Sequence, residues 1–569
     1  MFENLPRSFE AVKDWTWAEF APYYHELLES DITPENLNEW LSNVTRFSEV
    51  ISETYSRLSV AHDANTADEE AEKRYFAYIE GVLPPAMIAG NEITKKLVAS
   101  GLKPADFDVP LRNMKIQIEI FREANIPLFI EEQKLSTEYD KINGSQTVMW
   151  EGEEKTLPQL NVVLQDPDRA VREKAWRLIH SRWLQDREAF NDLWARTLEV
   201  RRQIAENAGE PDYRAYRWKQ LQRFDYTPED CVTFQKAIEV VAVPAAQRIM
   251  ERRRQRLGLD TLRPWDMDVD TSGQAPLRPF SDTEVFNSKA EAIFNQVDPA
   301  LGGYYREMRQ RELLDLENRK NKTQGGYCTS FDIDHVPFIL MNAVGMHDDV
   351  QTLMHEGGHA FHVFESASLP YTHQREVPIE FAEVASMSME LLSAPYFTQA
   401  QGGYYTEAEA ARARIEHLES MILFWPYMAV VDAFQHWVHE DLEVAKDARN
   451  CDAKWSELWD RFRKGQDWSG LQAEKETGWH RKLHIFKIPF YYVEYGLAQL
   501  GAAQVWARSL ENQAQAVANY RKGLALGGTR TLPELFSTAG ARFAFDAGTL
   551  KQSVDLIEQT IEELEAVNV

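Results

Sequence analysis

From about residue 10 to 135 the apolar residues recur every three or four positions, with charged residues between them and breakers at Pro34, Pro84-Pro85 and Pro104. A helix buries one apolar stripe per 3.6-residue turn, and proline interrupts such a run because it lacks an amide donor. The segment therefore predicts successive amphipathic helices. The period changes in only two places. At QTVMWEGEEKTLPQL, Gln146 to Trp150 and Lys155 to Leu160 flank a Glu-Gly-Glu turn, which predicts a small hairpin. From about Thr323 to Asn342, TQGGYCTSFDIDHVPFILMN sets β-branched and aromatic residues between Gly and Pro, which predicts one or two strands. Between these islands, Asp166 and Pro167 read as a cap and first-turn pair opening a long helix through Arg202, closed near Gly209 and Pro211. The expectation is an all-α chain with a small sheet just before the segment that carries the chemistry.

Composition narrows the function classes. Of 569 residues, 44% are hydrophobic and 16 are Trp, too much apolar material for a disordered chain. With 62 Lys+Arg against 90 Asp+Glu the net charge is -28, which repels phosphate backbones and anionic lipid. Neither nucleic acid nor a membrane is expected as a partner. The basic run Glu251 to Gly258, ERRRQRLG, reads as a solvated helix face balanced by surrounding acids. Cys231, Cys328 and Cys451 are odd in number and widely spaced, so no disulfide framework is expected. The start, MFENLPRSFEAVKDWTW, lacks a basic region followed by an apolar one, and no run of 18 apolar residues occurs. These features predict a soluble cytoplasmic protein.

The chemistry centres on TLMHEGGHAFH, in which His355, Glu356 and His359 form HExxH. Positions i and i+4 share a helix face, so two imidazole nitrogens can reach one zinc ion at roughly 2.0–2.1 Å. Glu356 is offset from both and suits a general base acting on a metal-activated water. Gly357 and Gly358 in mid-helix cost about 1 kcal/mol each relative to Ala. They make sense where another element or a ligand presses on the helix.

A catalytic zinc needs a third protein ligand and an open position. The metzincin extension is absent, since His362 and Glu365 stand where that motif has glycine and histidine. Downstream, REVPIEFAEVASMSMELLS predicts a helix from near Pro378 that carries Glu380, Glu383 and Glu390 toward overlapping faces. One of the three is expected to complete the site, and spacing alone does not choose among them. Asp348, Asp349, Glu380 or Glu390 could accept the second N–H of a ligating imidazole, while His362 is expected to pack beside the site. Peptide hydrolysis also develops negative charge on the carbonyl oxygen, which fixed donors stabilise. In HIFKIPFYYVEYGLAQLG, Tyr491, Tyr492 and Tyr495 with His484 upstream form a donor-rich segment.

TLMHEGGHAFH followed by EFAEVASMSMELL resembles the thimet oligopeptidase family of zinc peptidases, family M3, and its oligoendopeptidase F branch in particular, which includes Pz-peptidase-like enzymes. The likeness extends to DPDRAVREKAWR, GGYCTSF, VPFILMN, LFWPYMAVVDAFQHWVHE and LALGGTRTLPELFSTAG, over roughly residues 115 to 545. The resemblance implies a two-lobed all-α clamshell around a deep channel with one zinc at its floor. With it we expect an N-terminal helical lobe with the hairpin over residues 1–195 and a catalytic lobe over 196–569. It also implies Glu383 as third ligand, and His484, Tyr492 and Tyr495 as oxyanion and substrate-binding groups, with Tyr491 an alternative within the register. Strand main chain near Gly325, Gly326 and Tyr327 is implied to bind extended peptide by hydrogen bonds, as exposed strand edges can. The expected activity is a zinc endopeptidase of short, unstructured peptides. An exopeptidase with the same chemistry, a non-catalytic peptide-binding helical protein and a structural metal site are the alternatives.

Overall fold

The computed structural model describes residues 2–271, 273–323 and 325–567, and nearly all of its regular structure is helical. The N-terminal helical series is present, its longest member being α1 (Leu37–Ala64). α1 buries Leu41, Val44, Phe47, Val50, Thr54 and Leu58, the three- and four-residue steps that put side chains on one face. That face belongs to an apolar cluster of side chains between Phe2 and Met114, joined by Tyr371.

The hairpin forms with shorter bounds than expected: β1 (Thr147–Trp150) pairs antiparallel with β2 (Glu153–Thr156). Its second strand stops at Thr156 because that residue caps a short helix, Leu157–Asn161, in place of continuing to Leu160. The Thr156 hydroxyl accepts from Gln159 N, and the Gln159 side chain accepts from Thr156 N. The long helix expected to open at Asp166 is two helices, α2 (Arg169–Gln185) and α3 (Arg187–Ala208). Asp168 supplies the cap, accepting from Ala170 N, and Asp186 interrupts the helix with φ -94° and ψ 6°. Its carboxylate there accepts from the side chains of Gln146 and Arg182, a tertiary tie that favours the break. α3 carries residue 195 in its interior and ends on Gly209 at φ +80°.

Next come α4 (Tyr213–Gln220), α5 (Pro228–Val240) and α6 (Ala242–Arg256). The basic run occupies the end of α6, where Arg254 pairs with Glu251 and Arg256 with Glu565. The second sheet has three strands, β3 (Leu314–Glu317), β4 (Tyr327–Phe331) and β5 (Val336–Ala343), in the order β3-β5-β4. β5 runs parallel to β3 and antiparallel to β4. β3, a four-residue LDLE flanked by charge, carries too little β-pattern to be expected from sequence; buried β5 recruits it.

Further long helices include α7 (His347–Ser366), α8 (Ile379–Ser393), α9 (Glu407–Glu440), α10 (Ala448–Phe462), α11 (Tyr492–Glu511) and α12 (Ala547–Val567). They pack in one large apolar cluster with side chains drawn from Ile120 to Ile561. Each fully buried Val, Leu, Ile or Phe in such a cluster contributes about 1.5–3 kcal/mol. No helix among the described residues is long and apolar enough to cross a membrane.

Candidate metal centre

Helix α7 begins where Asp349 turns back to accept from the backbone of Val344 and Met346, a tie that fixes the helix start directly after β5. Two turns further on the helix carries His355 and His359. The mid-helix glycines then have a specific reason. A Cβ on Gly358 would stand 2.5 Å from the Ala385 carbonyl oxygen and 2.5 Å from Ser386 Cα. A Cβ on Gly357 would stand 2.6 Å from Phe294 Cζ. Real side chains do not approach so closely, so glycine at 358 is what lets α8 lie against α7 with backbone near backbone.

That contact brings Glu383 to the histidines. Its Oε2 stands 3.4 Å from His355 Nε2 and 3.7 Å from His359 Nε2. Ligand atoms bound tetrahedrally at roughly 2.0–2.2 Å lie about 3.4 Å from one another, so the three atoms are spaced so that they could hold one metal ion. The other candidate glutamates have different tasks. Glu390 Oε1 is 2.6 Å from His355 Nδ1, and Glu390 Oε2 is 2.9 Å from His417 Nε2. Burial would raise Glu390, yet the hydrogen bonds from His355 and His417 hold its carboxyl down at about 2. An ionised carboxylate only accepts, so Nδ1 of His355 donates to Glu390 and Nε2 is left as the atom that faces Glu383 and could bind a metal. Glu380 faces away, accepting from the Tyr226 hydroxyl at 2.7 Å.

The electrostatics fit a cation. Burial lowers His359 to about 4, which keeps it neutral and able to ligate. Burial opposes charge on His355 too, but Glu383 and Glu390 raise it well above its ordinary value. A site that draws a proton onto an enclosed imidazole lacks positive charge, and a divalent ion supplies it. Glu356 is buried beside this cluster. Burial, with the charge of His355 opposing and those of Glu383 and Glu390 assisting, brings it up to about 7. The Cys328 main chain of β4 reaches its carboxylate, which ties the sheet to the centre. Buried His362 packs against Phe381, with ring centroids 5.9 Å apart.

Opposite α7 and α8 lies the segment from His484 into α11. Tyr491 donates its hydroxyl to Glu383 Oε1 at 3.1 Å, and the Tyr495 ring is 5.1 Å from that of Tyr491. Burial and the Glu383 charge push the Tyr495 hydroxyl up to about 12 and that of Tyr491 well up, so both remain donors. The His484 ring is 4.8 Å from Tyr492 and 6.1 Å from Tyr495. Burial, then the Lys482 charge, lowers it to about 3. Tyr492 points elsewhere, packing on Phe424 and Tyr427 under the Lys482 ammonium, which is 4.3 Å from its ring centre. Of the three tyrosines, 491 and 495 adjoin the cluster of His355, His359 and Glu383, and 492 packs behind them.

Sequence reasoning missed the residues that hold this segment. Arg201 donates to the Ile485 and Phe486 carbonyls at 3.1 and 2.5 Å, and Arg217 to Pro489 O at 3.3 Å. Arg223 donates to Phe490 O at 2.6 Å and to Glu494 at 2.5 Å. Gln435 accepts from Phe490 N at 2.9 Å and donates to His484 O at 3.3 Å. Phe490 has φ +65°, a conformation that costs a non-glycine residue roughly 1–3 kcal/mol. The arginine and glutamine contacts on both of its backbone groups hold it there. No local pattern marks these residues, because their partners lie more than 50 positions away or are main-chain carbonyls.

Gly325 and Gly326 lead into β4, an outer strand of its sheet that opens on Tyr327. Gly325 needs its φ of +100°, and a Cβ on Gly326 would come within 3.1 Å of Thr352 on α7. Tyr327 turns to α1, donating to Asp63 at 2.9 Å.

The profile described as "Peptidase family M3" matches residues 162–554. The oligoendopeptidase F homolog of Borreliella burgdorferi is 22% identical over an alignment covering 99% of this chain and 96% of that one. Group B oligopeptidase PepB of Streptococcus agalactiae is 28% identical over 250 residues, a match covering 42% of this chain and 39% of the relative's length. A solved structure of Pz peptidase A with an inhibitor superposes with TM-score 0.88 at 27% identity, covering 99% of each chain.

Proposed function

The chain belongs to peptidase family M3, and from that premise we propose that it is a zinc metalloendopeptidase that hydrolyses internal bonds of short, unstructured oligopeptides. The names of the full-length and structural relatives, an oligoendopeptidase F homolog and Pz peptidase A, support that substrate class. The observation that carries the reading is the convergence of His355, His359 and Glu383, whose ligand atoms all lie within 4.8 Å of one another, with buried Glu356 beside them.

His355, His359 and Glu383 would hold one zinc, and Glu390 orients His355 through its Nδ1–H. Zinc bound there supplies Lewis acidity toward a carbonyl and acidifies water. Glu356 accepts the proton of the attacking water at its carboxylate and delivers it to the leaving amine. Burial raises its carboxyl, which suits a group that takes up a proton and gives it back. Tyr495 and His484 donate to the carbonyl oxygen as charge develops on it. Tyr491, bonded to Glu383, fixes the carboxylate that faces the histidines and lies next to the bound peptide. The outer edge of β4, entered through the exposed Gly325 and Gly326, aligns the peptide by main-chain hydrogen bonds.

Glu356→Gln tests this assignment. It removes the proton acceptor and keeps the shape, so metal content stays at one zinc per chain while turnover of a doubly blocked quenched peptide falls by orders of magnitude. Near-normal turnover would remove Glu356 from the reaction. An intact blocked peptide alongside trimmed free-ended peptides would replace the endopeptidase reading with an exopeptidase one.

A further inference from the structure

A cavity of about 220 Å³ lies behind the tyrosine segment, separate from the metal centre. Its walls are aromatic, with Trp176, Trp455, Trp459 and Tyr427 prominent, and two arginines, Arg463 and Arg481, enter it. The charged groups of the walls are both cations, and the Gln466 amide oxygen is taken by the Trp468 indole N–H. The indole N–H groups of Trp455 and Trp459 are buried with no hydrogen-bond partner, and Trp455 is 0% exposed. Arg463 uses one N–H on Leu423 O, and Arg481 uses one on Glu474 O. Among the described residues no carboxylate forms an ion pair with either guanidinium, nor with the ammonium of Lys482, which stands 5.3 Å from the Tyr427 ring centre. These three unpaired cations gather around one tyrosine in a chain of net charge -28.

The donors also converge. The position that a Cβ on Gly478 would take lies 2.4 Å from Trp455 Nε1 and 3.3 Å from Arg481 Nη2. A side chain at 478 would collide with the Trp455 indole, so glycine there lets the indole and the Arg481 guanidinium pack against the main chain at one edge of the cavity. Burial lowers Arg463, and it lowers Arg481 to about 10 and Lys482 to about 8, the Glu474 charge opposing the fall of Arg481 without cancelling it. Placing unpaired cations in a protein wall is unfavourable unless an anion completes them.

We propose that this cavity binds a carboxylate borne on an aromatic or large aliphatic group, the chemistry of a peptide's carboxyl end. The guanidiniums receive the carboxylate oxygens, and the ring faces take the apolar body. The volume, below the roughly 300–1,000 Å³ of pockets for drug-sized ligands, suits a group the size of one residue and not a nucleotide. Contacts between Tyr427 and Tyr492, and between Tyr492 and Tyr495, each with ring centroids 5.9 Å apart, connect the cavity wall to the metal centre. The identification of the ligand as a peptide end rests on the proposed function; the binding of the carboxylate does not.

The test is calorimetric titration of the whole protein with N-acetyl-phenylalanine, which has no internal peptide bond, with its amide, with inorganic phosphate and with AMP. The acid binds saturably at one site per chain, its amide binds about tenfold more weakly or not at all, and Arg481→Met and Arg463→Met each weaken the acid about tenfold. Should those variants fail to fold by circular dichroism, Arg463→Lys and Arg481→Lys, which keep the charge and lose the planar fork, still weaken the acid several-fold. Equal binding of acid and amide, no binding of the acid, or unchanged affinity in the folded variants overturns the proposal. So does arginine-dependent binding of phosphate or AMP in preference to the acid. Because the readout is binding without turnover, an inactive enzyme that still binds the acid would refute the peptidase reading and leave this site standing.

Discussion

Helices α7 and α8 hold His355, His359 and Glu383 by bringing backbone against backbone, whereas the segment from His484 to Tyr495 is held by side chains that arrive from distant parts of the chain. On the first side the histidines are one turn apart on a helix, and Gly358 admits α8 to within contact of it. On the second side Arg201, Arg217 and Arg223 grip the carbonyls of residues 485, 486, 489 and 490, and Phe490 is kept in a left-handed conformation. The ligand side is therefore rigid through close packing, and the donor side is rigid through hydrogen bonds. Damage to one should appear in metal affinity and damage to the other in turnover.

The largest separation is expected from Tyr495→Phe, which removes a donor and leaves the ligands untouched. We expect kcat to fall by about 10²–10³ with metal content unchanged, and Tyr492→Phe to cost no more than about twofold, because its ring packs away from the ligands. Equal losses in the two variants, measured by steady-state kinetics, would dissolve the distinction drawn between these tyrosines. On the ligand side, Glu390→Gln takes the ionised acceptor from His355 and His417, and metal affinity should drop about 10–100-fold in a chelator competition. Unchanged affinity would show that His355 needs no orienting partner.

How much of this was legible in the sequence follows from the same contrast. The i, i+4 histidines, the glutamate between them and the glycine pair are local signals, and the structure gives each a geometric reason. The three candidate glutamates could not be separated by spacing, because they share overlapping helix faces and only the approach of α8 to α7 decides which one meets the imidazoles. β3 and the break at Asp186 were not foreseen, since both are settled by tertiary partners: buried β5 for the strand, Gln146 and Arg182 for the break. The arginine contacts with carbonyls were invisible for the same reason. A carbonyl has no residue identity to read.

Smaller effects sharpen the comparison. Gly358→Ala should loosen the contact between α7 and α8 and destabilise the fold by about 1–3 kcal/mol in denaturant titration, with weaker metal binding. Arg223→Lys keeps a cation near Glu494 and loses the shared grip on Phe490 O. It should lower kcat about tenfold at full metal occupancy, since misplacing a donor impairs the transition state and spares the ligands. Loss of metal in Arg223→Lys, read by metal analysis, would join the two sides that the account separates.

The most direct measurement is metal content by mass spectrometry after dialysis, compared among the native chain, Glu383→Ala and Glu380→Ala. The account predicts one zinc per chain in the native protein and in Glu380→Ala, and its loss in Glu383→Ala. Full zinc retained with undiminished affinity in Glu383→Ala would contradict it, because the centre would then be completed by some other group.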